Sequence, residues 1–334
     1  MTFARRSLLA ASVGAPLLAI APRMARAAEF DMKWGSFAPP DHPLSVNAVK
    51  ATEKIAAESK GRVVIKYFPS SQLGGDTDML SQVRSGALDF YTTSASFMTT
   101  LNPAVGASAL GFAFKDYAAI WSAVDGEVGR VARKAAASVD IHVFEKYWDL
   151  GFRTVGSSRP INSLADMQGM KIRVPVLPMF FGMFKALGAA PVSMNFSELY
   201  TSLQTKLVEG QENPLVNLYT AKLYEVQKFI TNTNHCWEGM FVVSNRTQFT
   251  ALPADVQDII SRNFNAAALQ EREDMRKLNE DVKAKLEAAG VKFIDIDTAP
   301  FRERLKQAGY YKEWRGKMGE EAWAALEKST GSLA

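Results

Sequence analysis

From Pro253 to about Ala289 the chain runs for more than thirty residues with no internal Pro or Gly and with helix-forming composition throughout. At about 1.5 Å per residue, that is a rod roughly 50 Å long. A helix of this length runs across two lobes, so the fold around it has to be built in two halves that share it. About 300 residues remain once the N-terminal leader is set aside, which is room for two bodies of ordinary domain size.

The leader is legible in Arg5-Arg6-Ser7-Leu8-Leu9, a mostly apolar stretch to Ala21, and the small-x-small site Ala25-Arg26-Ala27. These are the three parts of an export signal. Paired arginines before the apolar stretch point to the twin-arginine route, with the general secretory route as the alternative. The stretch falls short of the roughly 20 residues that a membrane span needs. The expected product is a soluble periplasmic protein, cleaved near Ala27 and not inserted in a membrane. Cleavage removes Arg5, Arg6, Arg23 and Arg26 and no acidic residue, so the formal charge falls from +4 to zero. A neutral chain without clustered Lys and Arg lacks the electrostatic footprint of a nucleic-acid binder. Cys236 is the only cysteine, so no intramolecular disulfide can form and core burial has to supply the stability.

Both halves alternate strand-like and helix-like segments in the order that builds parallel sheets. In the first, Phe30, Met32, Trp34 and Ser36 read as a strand, Leu44 to Ser59 as a helix, and Val63 to Tyr67 as a strand. A helix capped by Asp76 runs to Arg84 and stops at Gly86, and Leu88 to Thr92 follows as a buried strand. The second set begins near Gly151, the expected lobe crossing. Strand Lys171–Val174 leads to a helix that opens at Pro178 and ends near Gly188. Strand Ala190–Met194 leads to a helix with Ser197 as N-cap, and Leu207 to Gln211 forms the next strand. The expected lobes are 28–150 plus about 239–278, and 151–238 plus about 279–334.

In such sheets, ligands sit at the carboxyl ends of the strands. That edge collects Arg173 in Gly169-Met170-Lys171-Ile172-Arg173-Val174-Pro175, Phe196 in Pro191-Val192-Ser193-Met194-Asn195-Phe196, and Asn213 in Glu209-Gly210-Gln211-Glu212-Asn213-Pro214. Arg153, in Trp148-Asp149-Leu150-Gly151-Phe152-Arg153, lies upstream at the crossing. An arginine presents five donors in a planar fork matched to a carboxylate, so Arg173 is the candidate anion holder. Its bland alternative is a surface pair with Asp166 or Glu198. For Arg153 the alternative is a hinge salt bridge, and for Asn213 a turn before proline. Phe196, Trp148, Phe180, Trp237 and Phe37 are aromatics near the expected cleft, although most aromatics are core. His42, Gln72, Ser94, Asn217 and His235 are candidate polar contacts.

Together these four segments resemble the solute-binding proteins of TRAP transporters, the DctP family, and the resemblance runs over nearly the whole mature chain. It implies a periplasmic binding protein-like α/β fold, with a ligand cleft between two lobes and the long helix spanning both. It implies that Arg173 forks onto a ligand carboxylate, that Arg153 and Asn213 assist, and that Phe196 packs on the ligand body. The implied function is to capture a small organic acid and deliver it to a membrane permease pair driven by an ion gradient. The alternative is a ligand sensor that reports to a signalling protein from the same fold. A monomer is expected, with no cofactor or metal ligand set.

Catalysis is not expected. His42, His142 and His235 are widely separated and lack the HExxH spacing, and neither a GxSxG elbow nor a P-loop occurs. His235 and Cys236 are adjacent, but neighbours on an extended segment point to opposite faces. The aromatics favour a monocarboxylate with an apolar or aromatic body, such as a hydroxy or keto acid, and the polar candidates His42, Gln72 and Asn217 keep a sugar acid as the alternative.

Overall fold

The computed structural model describes residues 28–333. The expected export signal, with Arg5, Arg6 and the cleavage site at Ala27, lies outside them. β1 (Phe30–Gly35) runs parallel to β2 (Val63–Phe68), with α1 (Pro43–Glu58) as the crossover. α1 starts with proline in its first turn, and the His42 Nδ1 accepts the Leu44 N–H at 3.1 Å as a cap. α2 (Asp76–Ser85) then leads to β3 (Phe90–Ser94), which returns beside β1. α3 (Tyr117–Val124), α4 (Glu127–Ala137) and β4 (Ile141–Val143) complete this half.

The second half is assembled on β5 (Trp148–Ser157). β6 (Lys171–Val174), α5 (Pro178–Ala186), β7 (Ala190–Ser193), α6 (Leu199–Gln204) and β8 (Gly210–Pro214) place β6 parallel between β7 and β8. α7 (Leu215–Thr220) and β9 (Phe229–Asn232) precede β10 (Trp237–Asn245), which carries the chain back. The strand order is β2-β1-β3-β10-β5-β8-β6-β7. β10 and β5 form an antiparallel pair at the centre and join the two sheets. β5 pairs with β10 through Phe152 and with β8 from Arg153 onward. Gly151 stands at that change of partner with φ of +106°, opposite a bulge between Glu238 and Gly239. Gly239 has no room for a Cβ, because the rings of Trp237 and Tyr147 close over it.

After α8 (Arg246–Thr250) comes α9 (Ala254–Ala288), a single 35-residue helix. Phe264 on its first half packs in a core with Trp34, Phe90 and Phe144, while Val282 and Leu286 on its second half pack with Met194 and Leu199. The sequence expectation of one rod shared by two lobes holds. Between the two cores α9 buries Glu271 against the start of β5, where the Asp149 N–H donates to Glu271 Oε2 at 2.8 Å. β11 (Lys292–Asp295) pairs with β9, and α10 (Ala299–Gln307), α11 (Tyr310–Met318) and α12 (Glu320–Thr330) end the fold. The lobe division at Gly151 is our proposal. Its C-terminal piece touches both sides, with α12 against α3 and α4, and α10 and α11 against α5.

Four sequence expectations shift. β8 begins at Gly210 and not at Leu207, which is a 59 % exposed turn residue. β3 begins at Phe90 and not at Leu88. Asp76 is the first residue of α2 and not its cap; Gly75 holds the cap position and its N–H donates to Asp78 Oδ2 at 3.0 Å. Ser197 lies inside a short 3-10 turn, Phe196–Glu198, and α6 starts after it. Among the described residues, no helix is long and apolar enough to cross a membrane.

Candidate functional site

A cleft of about 440 Å³ opens where β5, β6, β8 and β10 meet β3 and α2. Arg173 enters it from the end of β6 and is 1 % exposed. Its Nε and Nη2 both donate to the Met194 carbonyl, at 3.1 and 2.8 Å, which fixes one edge of the guanidinium. Among the described residues, Nη1 has no hydrogen-bond partner and no carboxylate lies within ion-pair distance of this side chain. The pairing with Asp166 or Glu198 is absent. Asp166 instead accepts from the Asn162 and Ser163 backbones, and Glu198 from the Asn195 amide. Burial of the unpaired charge lowers the Arg173 pKa to about 10. The Phe196 ring stands 5.9 Å from its Cζ and meets Phe37 edge-on at 5.4 Å.

Arg153 is committed elsewhere. Its Nε and Nη2 fork onto the Glu212 carboxylate, Nη2 also reaches the Glu212 carbonyl at 2.7 Å, and Nη1 donates to Glu238 Oε2 at 3.0 Å. Burial pulls its pKa down, but the two carboxylates outweigh that and hold it above the ordinary value. The internal salt bridge, the bland alternative for this residue, thus accounts for most of its donors. It still lines the cleft, with the Phe180 ring 5.1 Å from its Cζ. Glu212 also accepts from His235 Nε2 at 3.0 Å, so His235 is paired with Glu212 and not with Cys236. Burial raises the Cys236 thiol well above its usual range, the opposite of nucleophile activation.

Asn213 accepts from Asn217 Nδ2 at 3.3 Å and donates to Gln211 Oε1 at 2.6 Å. The chain of bonds continues across the lobes, where His42 Nε2–H donates to Asn217 Oδ1 at 3.2 Å while Nδ1 accepts from Leu44. His42 is therefore neutral, and burial lowers its pKa to about 4, against a weaker upward pull from Asn217. Its folded pKa lies below the unfolded value of 6.5, so the chain takes up a proton on unfolding between those limits. The stability linked to neutral His42 is complete above pH 6.5 and is lost as the pH falls toward 4. Relative to His42→Gln, the wild type is expected to lose on the order of 3 kcal/mol over that window. Urea midpoints at pH 4.5 and 7 check this, and a constant difference between the two proteins would rule it out.

Phe37, Ser94, Phe196, Asn213, Asn217, Arg153 and Arg173 are the expected residues that line the cleft. Five others do not. Trp148 packs 6.0 Å from Trp34 in the core, the Trp237 Nε1–H donates to Asp149 at 2.8 Å, and Phe180 lies under Arg153. His42 stands behind Asn217, and Gln72 is an exposed turn residue. Sequence reasoning missed Asp76, Thr93 and Glu238, which also line the cleft. For Glu238 a signal existed: it is the one acidic residue in the otherwise apolar run Trp237–Val243.

Residues 34–316 match the family model for bacterial extracellular solute-binding protein, family 7, DctP. The chain belongs to this family. Relatives of this DctP chain include the 2,3-diketo-L-gulonate-binding periplasmic protein YiaO of Escherichia coli K12, 33 % identical over 78 % of the chain and 80 % of that protein. A C4-dicarboxylate-binding periplasmic protein DctP from Rhodobacter capsulatus is 30 % identical over 97 % of the chain and 98 % of that protein. The fold superimposes on a TRAP periplasmic solute-binding protein from Xanthobacter autotrophicus Py2 with bound β-D-galacturonate. The TM-score is 0.85 at 26 % identity, over 90 % of this chain and 99 % of that one.

Proposed function

We propose that this DctP-family chain captures a small organic acid by its carboxylate in the periplasm and delivers it to a TRAP membrane permease. The observation that carries the reading is Arg173, a buried guanidinium in the cleft with one edge fixed and the other without an anion. An unpaired buried charge is costly unless a ligand completes it. Asn213 stands at the same cleft beside Arg153 and offers an amide to the ligand, and Phe196 and Phe37 supply an apolar wall. The galacturonate of the Xanthobacter protein and the diketogulonate of the E. coli protein are acids of this kind.

Lobe contacts that cross the cleft favour capture by closure. His42 reaches Asn217, Thr77 N–H points to Asn195 Oδ1 at 3.4 Å, and Phe37 meets Phe196. A ligand that strengthens those contacts stabilises the closed form only by what it gains there. A melting screen over organic acids tests the reading. A true ligand at 100 Kd is expected to add about 2.7 kcal/mol, a rise of several degrees for a chain this size. If only uncharged sugars raise the melting temperature, the carboxylate reading fails.

A further inference from the structure

The cleft holds more acid than base. Beside Arg173 and Arg153, the charged residues that line it are Asp76 and Glu238, and Glu212 lies directly beneath Arg153. Among the described residues, no lysine and no third arginine lines the cleft. Arg153 is already shared between Glu212 and Glu238, which leaves Arg173 as the cation free to meet a ligand. Asp76 faces it from the opposite lobe: its Oδ1 accepts the Tyr91 hydroxyl at 2.9 Å, and its Oδ2 lies 3.5 Å from the Phe196 N–H. We propose that Asp76 and Glu238 are specificity residues that restrict the site to acids with one carboxylate and hydrogen-bond donors on the remainder of the molecule, and that they exclude dicarboxylates. This rests on the carboxylate reading above.

The geometry supports both halves of the statement. A second ligand carboxylate has no cation to meet and two carboxyl groups to avoid, and like charges brought together at an interface cost several kcal/mol. Burial already raises the pKa of Asp76, and it brings Glu238 to about 7 against the pull of Arg153, so the walls tolerate further negative charge poorly. A purely apolar ligand body fits no better. Among the described residues Glu238 Oε1 and Thr93 Oγ1 are buried in the cleft wall without a hydrogen bond, and a ligand hydroxyl that reaches them supplies a partner that an apolar group cannot. Glu238 has the Ser96 hydroxyl nearby, yet that group is bonded to Ser94 at 2.8 Å. A hydroxyl donates to the carboxylate and accepts from threonine, and so suits both vacancies.

Calorimetric titration of the mature protein near pH 8, where ligand carboxyls are ionised, tests this with matched probes. The pairs are D-galacturonate against galactarate, and lactate against malate, with D-galactose as the uncharged control. The expected result is that the monoacid of a binding pair is tighter than its diacid by about tenfold or more. Asp76→Asn and Glu238→Gln, each nearly isosteric, should shrink that ratio severalfold. If one variant does not fold, the other and the wild-type ratio still read the effect. A diacid that binds the wild type as tightly as its monoacid overturns the proposal, as does a ratio unmoved by both substitutions. If galactose binds and none of the acids does, the carboxylate reading itself has failed.

Discussion

Arg173→Ala is expected to lose roughly 30-fold to several-thousand-fold in affinity for an organic acid that raises the melting temperature of the wild type. That range corresponds to the roughly 2–5 kcal/mol lost when one partner of a buried charge pair is truncated. Arg173→Lys should recover little, because a point charge replaces a fork held in place by the Met194 carbonyl. Stability should move the other way. Without ligand, Arg173 is a buried charge with no ion-pair partner among the described residues, so Arg173→Met, which keeps most of the volume, is expected to melt at or above the wild type. Calorimetric titration and ligand-free melting curves separate the two effects. A variant that binds normally, or one that unfolds at once, would contradict the role assigned to this residue.

Arg153→Met should act mainly on the fold. It strips the counterion from Glu212 and Glu238, both buried, and breaking such a pair from one side typically costs about 3–5 kcal/mol. Glu212 is held below its ordinary pKa despite burial, chiefly by Arg153 and then by His235, so the charge left behind is a real one. Adding Glu212→Gln and Glu238→Gln to Arg153→Met should restore much of the lost stability, since uncharged amides replace two stranded carboxylates. Urea denaturation of the single and triple variants measures this. If the triple variant is no more stable than the single one, the cluster is not held together by charge balance.

Arg173 was legible because it ends a short apolar strand, and the long helix was legible because nothing in it breaks a helix. β8 was misplaced for a related reason. Apolar Leu207 and Val208 look like strand, whereas the strand that forms carries Gln211, Glu212 and Asn213. Glu212 is buried because Arg153, 59 positions away, and His235 satisfy it, while Asn213 is held by Gln211 and Asn217. Periodicity cannot report a partner so distant in sequence. Asp76 fits a helix start, and its turn toward the cleft depends on Tyr91 and Phe196 from other elements. Trp148 and Trp237 were drawn into the candidate site as aromatics near an edge. Their burial against Trp34 and Asp149 is set by packing between strands, which the local sequence does not specify.

The central position of β10 bears on how the molecule is made. β3 and β5 each present an open edge until β10 is paired between them, and β10 ends at Asn245. The first sheet therefore cannot finish when its own three parallel strands leave the ribosome. It waits until β5 to β9 have been synthesised, and α9 then ties the cores of both. The first sheet is not one continuous stretch of chain, so the edge of β3 is expected to stay unpaired until β10 emerges.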